Sequence, residues 1–146
     1  MVIEMFYQKD IETMPRAQIE ALQLERLRSI VAYCEKNVPF YAKRLAEAHV
    51  TADKIKTLKD VRYIPMTTKA DIRDNYPYGL FAVPMSQIVR LHASSGTTGS
   101  PTVVGYTRRD LAIWSEMIAR CLSAFGTDCN DIFSVAYGYG LFTGGL

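Results

Sequence analysis

The sequence predicts an α/β protein: a mainly helical segment over residues 1–84, then the start of an α/β domain over residues 85–146. Three observations carry this reading. Apolar residues recur at a helical period through the first part of the chain. After Pro84 the period changes to two, the signature of a half-buried strand. The remainder then runs strand, loop, strand, helix, strand, which is how an α/β unit begins.

The elements follow in order. Pro15 suits the first turn of a helix, where its missing N–H would go unbonded, and the helix is expected to run to about Asn37. Its stripe of Ile19, Leu22, Leu27, Ile30, Val31 and Cys34 reads as core. Asn37-Val38-Pro39 breaks it, because proline disfavours helix in the residue before it. Short helices are expected over Phe40 to Ala48 and from about Ala52 to Val61. Another starts in Thr67-Thr68-Lys69-Ala70-Asp71, capped at its start and stopped by Pro77 and Gly79. Val89, Leu91 and Ala93 alternate with Arg90 and His92 in the first strand, and Thr102-Val103-Val104 begins the second. Thr107 and Asp110 form an approximate capping box for a helix bearing Leu111, Trp114, Met117, Ile118, Cys121, Leu122 and Phe125 on one face and ending at Gly126. Asp131 to Ala136 reads as a buried third strand.

Composition narrows the function classes. The 146 residues are 49% hydrophobic and 22% charged, with a net charge of +2. That balance excludes a strongly electrostatic partner such as bulk nucleic acid. No apolar run approaches the ~18 residues that span a bilayer, and Met1 to Phe6 lacks the basic flank of a secretory signal. A cytoplasmic protein without a membrane partner is expected. Cys34, Cys121 and Cys129 show no metal spacing and read as buried, inert thiols; no metal ligand is assigned.

The informative stretch is Ser94-Ser95-Gly96-Thr97-Thr98-Gly99-Ser100-Pro101-Thr102. Its glycines permit tight turns and close backbone approach, and successive N–H groups with neighbouring hydroxyls suit an oxyanion. Composition alone favours a surface loop joining two strands, but the density of hydroxyls and glycines, closed by a proline directly after a strand, stands against it. The segment lacks the GK[ST] of a P-loop and the GxSxG of a nucleophile elbow. Lys69 reads as a solvated helix-surface lysine or as a cation near a substrate carboxylate or phosphate. His92 reads as structural or site-lining, and Arg108 and Arg109 as solvated.

With its flanks His92-Ala93 and Val103-Val104-Gly105-Tyr106-Thr107, this loop resembles the phosphate-binding signature of the acyl-adenylate-forming enzymes. Asn37-Val38-Pro39-Phe40-Tyr41, the stretch Pro65 to Pro77, and Ala136 to Gly145 make the chain most similar to the phenylacetate–coenzyme A ligase family. The resemblance runs from about Met14 to the end. It implies the first strands of the large N-terminal domain of such an enzyme, cut short, and thus an N-terminal piece with little activity alone.

It also implies adenylation of an aryl acid by ATP–Mg²⁺, then thioester formation with coenzyme A. Ser94, Ser95, Gly96, Thr97, Thr98 and Gly99 would hold the phosphates, with Lys69 as the catalytic cation. Tyr137, Gly138 and Phe142 would wall an aryl pocket, although those aromatics equally suit a core. The implied partners are small molecules and at most a second copy of the chain, as a homodimer. Two departures stand out: Thr102 replaces the lysine that many superfamily members carry after the loop proline, and Ser100 stands where the ligase family often has lysine. A non-catalytic interaction module or truncated homologue, or an adenylating enzyme with another acceptor, is the competing reading.

Overall fold

The computed structural model describes residues 6–94, 101–134 and 136. The helices are α1 (Lys9–Glu12), α2 (Arg16–Asn37), α3 (Pro39–Glu47), α4 (Lys69–Asp74) and α5 (Arg108–Ala124). The strands are β1 (Ile88–Ala93) and β2 (Val103–Thr107), and 3₁₀ segments lie at Ala52–Lys54, Leu58–Tyr63 and Met85–Gln87.

Val38 ends α2 and starts α3. It is held extended at φ −126°, ψ 105°, and Pro39 takes the first position of the new helix, as a residue before proline should. α3 folds back on α2 and ends at Glu47, and His49 just beyond it takes the left-handed φ of 55°. Val50 N–H then donates to Leu45 C=O at 3.0 Å. Val31, Leu45, Val50 and Ile55 form the core, with Leu24, Leu27, Tyr41, Ala52 and Ile64 packed against it. Of the predicted α2 stripe, Leu27 and Val31 join this core, Ile19, Leu22 and Cys34 are half-buried, and Ile30 is 52% exposed.

The helix expected from Ala52 to Val61 is instead two 3₁₀ turns. Ile55, between them, is buried to 2% exposure, and its carbonyl accepts from Arg28 Nε at 2.6 Å instead of from a later helical N–H. Thr57 and Asp60 then start the second turn with their own capping box, so packing and capping both cut the helix. α4 starts on a second box. The Thr68 N–H and hydroxyl both donate to Asp71 Oδ2 at 2.7 Å, while Asp71 Oδ1 accepts from Arg44 at 3.0 Å. The box fixes the helix start, and the ion pair ties α4 to α3.

β1 and β2 form an antiparallel hairpin with Arg90 opposite Tyr106 and Ala93 opposite Val103, and a register irregularity between Ile88 and Arg90. Gly105 lets Phe81 lie against the hairpin, since a Cβ there would sit 2.6 Å from the Phe81 ring. Thr107 closes β2 and caps α5 through a box with Asp110. α5 stops at Ala124, and Gly126 at φ 86° forms its C-terminal turn, with Thr127 N–H donating to Leu122 C=O at 3.1 Å.

Three expectations need correction. Residues 131–134 are not a buried strand: Ile132 is 97% exposed and Phe133 60%, because no strand among the described residues pairs with them. Val135 lies outside those residues. The α5 stripe buries only in part, with Leu111, Trp114 and Leu122 half-buried and Met117, Ile118, Cys121 and Phe125 exposed. The cysteines are not uniformly buried either, since Cys121 and Cys129 are exposed and only Cys34 is partly covered. Burial pushes the Cys34 thiol above its ordinary range.

Two outcomes follow. Leu45→Ala should destabilise the fold by about 2–5 kcal/mol through lost contact and a cavity, read as a lower denaturant midpoint. Backbone N–H and hydroxyl donation from Thr68, with Arg44 alongside, holds the Asp71 carboxyl below its usual range. A carboxyl lower in the folded than in the unfolded state stabilises fully above the unfolded value, and that share fades as pH falls through the folded one. The difference in thermal stability between the unaltered protein and Asp71→Ala should therefore shrink below about pH 4; a constant difference would remove Asp71 ionisation as its cause.

Candidate functional site

The hairpin carries the candidate site at its loop end. Beyond the Ala93–Val103 pair the ladder continues by one polar step. Ser94 N–H donates to Thr102 C=O at 2.9 Å, and Thr102 N–H donates to Ser94 Oγ at 3.2 Å. The two hydroxyl oxygens stand 2.6 Å apart, and either can donate. Ser94, expected among the phosphate-binding hydroxyls, thus has its side chain turned to Thr102 across the neck of the loop. Thr102, noted from sequence only for the lysine it replaces, is the residue that sequence reasoning missed. The available signal was a pair of hydroxyl residues flanking the glycine-containing segment on opposite strands.

Ser95, Gly96, Thr97, Thr98 and Gly99 lie outside the described residues, as do Tyr137, Gly138 and Phe142. Lys69 is the exposed first residue of α4. It lines neither the apolar cavity nor the groove described next, so the structure does not bring it together with Ser94 in one pocket.

An open groove of about 1080 Å³ runs between α2, the residues before β1, the hairpin and the start of α5. Tyr33, Phe81 and Val104 give it apolar walls, and Arg26, Arg108 and Arg109 supply positive charge. Arg108 and Arg109 are exposed, in line with their solvated reading. A smaller apolar cavity of about 180 Å³ lies between α2 and α3 beside Cys34 and Tyr41.

His92 turns inward. It is 3% exposed, with ring centroids 5.1 Å from Tyr106 and 5.7 Å from Trp114, both edge to face. Tyr106 and Trp114 stack on each other at 5.3 Å. Among the described residues, neither His92 ring nitrogen has a hydrogen-bond partner. The period-2 reading put Val89, Leu91 and Ala93 on the buried side, yet Val89 is 45% exposed. The irregularity between Ile88 and Arg90 and the aromatic pair across the hairpin select the other face.

Among the described residues, no helix is long and apolar enough to cross a membrane. No group of three or more His, Cys, Asp or Glu among them could hold a metal ion.

No family model matches the chain. The chain is 54% identical over 142 residues to a phenylacetate-coenzyme A ligase of Thermus thermophilus, and 52% over 136 residues to that of Escherichia coli. A Pseudomonas putida phenylacetate-coenzyme A ligase is 51% identical over 139 residues. These matches cover 93–97% of the chain but only 31–32% of each relative, so the chain spans about a third of their length. The family resemblance read from the motifs therefore holds along almost the whole chain.

Among solved structures, a 2-hydroxyisobutyryl-CoA ligase in complex with 2-HIB-AMP and CoA in the thioesterification state matches with a TM-score of 0.90 at 30% identity, over 99% of this chain and 32% of that one. An open conformation of that ligase, also with 2-HIB-AMP and CoA, matches with a TM-score of 0.87 at 28% identity, over 98% of this chain and 34% of that one. The helices and small hairpin are thus the architecture of one part of an acyl-CoA ligase.

A buried polar group without a partner costs about 1–3 kcal/mol. His92→Phe keeps the ring contacts and removes both unpartnered nitrogens, so the melting temperature should stay level or rise. A fall of several degrees would show that His92 has a hydrogen-bond partner in the folded protein.

Proposed function

We propose that this chain is part of an AMP-forming aryl-acid–coenzyme A ligase whose acid is phenylacetate. The single observation that carries the reading is identity of 50–54% to phenylacetate-coenzyme A ligases over nearly the whole chain. Structural likeness to a ligase that holds an acyl-adenylate and CoA supports the two-step chemistry. Residues 1–84 form the supporting helical segment, and residues 85–146 begin the domain that binds the nucleotide. The reading places the enzyme in the cytoplasm, where ATP and coenzyme A are available.

In the first step the aryl-acetate carboxylate attacks the α-phosphorus of ATP. A P–O bond forms to the acid, the bond to the bridging oxygen breaks, and pyrophosphate leaves. In the second, the coenzyme A sulfur attacks the acyl carbon, and AMP leaves with its electron pair. The chain's part in the first step is oxyanion binding. Backbone N–H groups around Gly96 and Gly99, with the hydroxyls of Ser95, Thr97 and Thr98, hold the β- and γ-phosphates as charge moves onto them. Fixed donors aimed at developing charge are the largest contribution a protein makes to such a step.

Magnesium enters with the nucleotide, and the described residues offer no group of carboxylates to hold it. Lys69 is the proposed cation for the substrate carboxylate, and its exposure leaves it able to reach a ligand. Tyr137, Gly138 and Phe142 wall the aryl ring, where each aromatic pair adds about 0.5–1.5 kcal/mol beyond area burial.

The test uses the full-length protein. Phenylacetate-dependent exchange of pyrophosphate into ATP reads the first step, and thioester formation from synthetic acyl-adenylate reads the second. Thr98→Val should slow exchange by about 10²–10³, the usual loss for a removed transition-state donor, and spare the thioester step, because the β- and γ-phosphates have gone by then. Equal damage to both steps would overturn the assignment of the loop. Exchange without thioester formation by the unaltered enzyme would point to another acceptor. Phe142→Ala should raise KM for phenylacetate with little change for ATP.

A further inference from the structure

Ser94 and Thr102 make contacts beyond those a hairpin ladder requires. Three hydrogen bonds close the neck: Ser94 N–H to Thr102 C=O at 2.9 Å, Thr102 N–H to Ser94 Oγ at 3.2 Å, and the hydroxyl contact at 2.6 Å. Both side chains are partly buried. The third bond exists only because both residues carry hydroxyls.

The surroundings hold this neck in place. Successive side chains alternate between the faces of a strand, and cross-strand partners share a face. With His92 opposite Val104 and Ala93 opposite Val103, the residues His92, Ser94, Thr102, Val104 and Tyr106 lie on one face. His92 and Tyr106 pack on Trp114 of α5, so that face is fixed to a 17-residue helix.

We propose that Ser94 and Thr102 are positioning residues that act as a hydroxyl clamp, holding the two ends of the phosphate-binding segment at one separation. The inference rests on the proposed function and deepens it. Donors contribute most when they need no reorganisation as charge develops. The clamp ties together the two described residues that flank the segment. Thr102, where many related enzymes carry a lysine, thus contributes by fixing geometry and not by charge.

The test has two readouts on the full-length enzyme. The first is amide hydrogen exchange across residues 88–107, which needs no activity. Thr102→Val keeps the side-chain shape and deletes the hydroxyl, and should speed exchange at the Ser94 and Thr102 amides about tenfold, as for one lost hydrogen bond. Thr102→Ser should restore protection. Unchanged protection in Thr102→Val overturns the clamp, whatever the enzyme's activity.

The second readout is the two half-reactions. Thr102→Val should lower kcat/KM for pyrophosphate exchange about tenfold, with thioester formation from the adenylate within about twofold and the serine variant close to the unaltered enzyme. Ser94→Ala with Thr102→Val should cost no more than Thr102→Val alone, since a clamp with one jaw missing is already open. Additive losses would mean that each hydroxyl meets the phosphates separately, and would overturn the proposal. Equal loss in both half-reactions with a lower melting temperature would reduce the pair to a fold element. An unaltered enzyme without phenylacetate-dependent exchange would fail the proposed function alone, leaving the clamp to be judged by protection of the two amides.

Discussion

The backbone at Val38-Pro39 is the constraint on which the helical part depends. Proline bars helix from the residue before it and suits the first position of the residue after, so one dipeptide ends α2 and starts α3 without a loop between them. The turn lays α3 on α2 and encloses Val31 and Leu45, with Val38 itself 2% exposed. The later contacts build on that pair. His49 reverses the chain so that Val50 enters the core. Arg28 of α2 then holds the Ile55 carbonyl, and Arg44 of α3 holds Asp71 of α4. Each is a tie from the helix pair to a segment with too few residues to fold alone.

The hairpin depends on a different kind of contact. Two strands in isolation are marginal, and this pair gains its support from α5 through the stacked Tyr106 and Trp114 and from Phe81, admitted by Gly105. His92 sits in that aromatic cluster at a cost, since neither nitrogen is bonded among the described residues. Buried imidazole without partners is unusual in a stable core, and His92 lies two residues before the Ser94–Thr102 contact.

Much of this was legible in the sequence. The helices starting after Pro15 and at Pro39, the Thr68–Asp71 and Thr107–Asp110 boxes, and the Gly126 stop all rest on rules that act within about five residues. They were read with errors of one or two residues. The hydroxyl–glycine segment also stood out, because residue type and spacing alone make it suited to an oxyanion. The misreadings concern burial. Ile30, Met117 and Phe125 sat on convincing stripes but are exposed, because an amphipathic pattern states which face can be buried and not what covers it. The Ala52–Val61 helix failed where Ile55 was drawn into the core, and the third strand failed for want of a pairing neighbour.

The sequence by itself determined where α2, α3 and α5 start and stop, since steric limits and capping bonds are local. Only the tertiary structure decided that His92 faces inward, that α3 and α4 are joined through Arg44, and that Ser94 meets Thr102. Those contacts join residues 8 to 27 positions apart in the chain or lie on elements whose mutual placement no local rule specifies. Burial and pairing are properties of two surfaces at once. A single strand or helix carries only one of them.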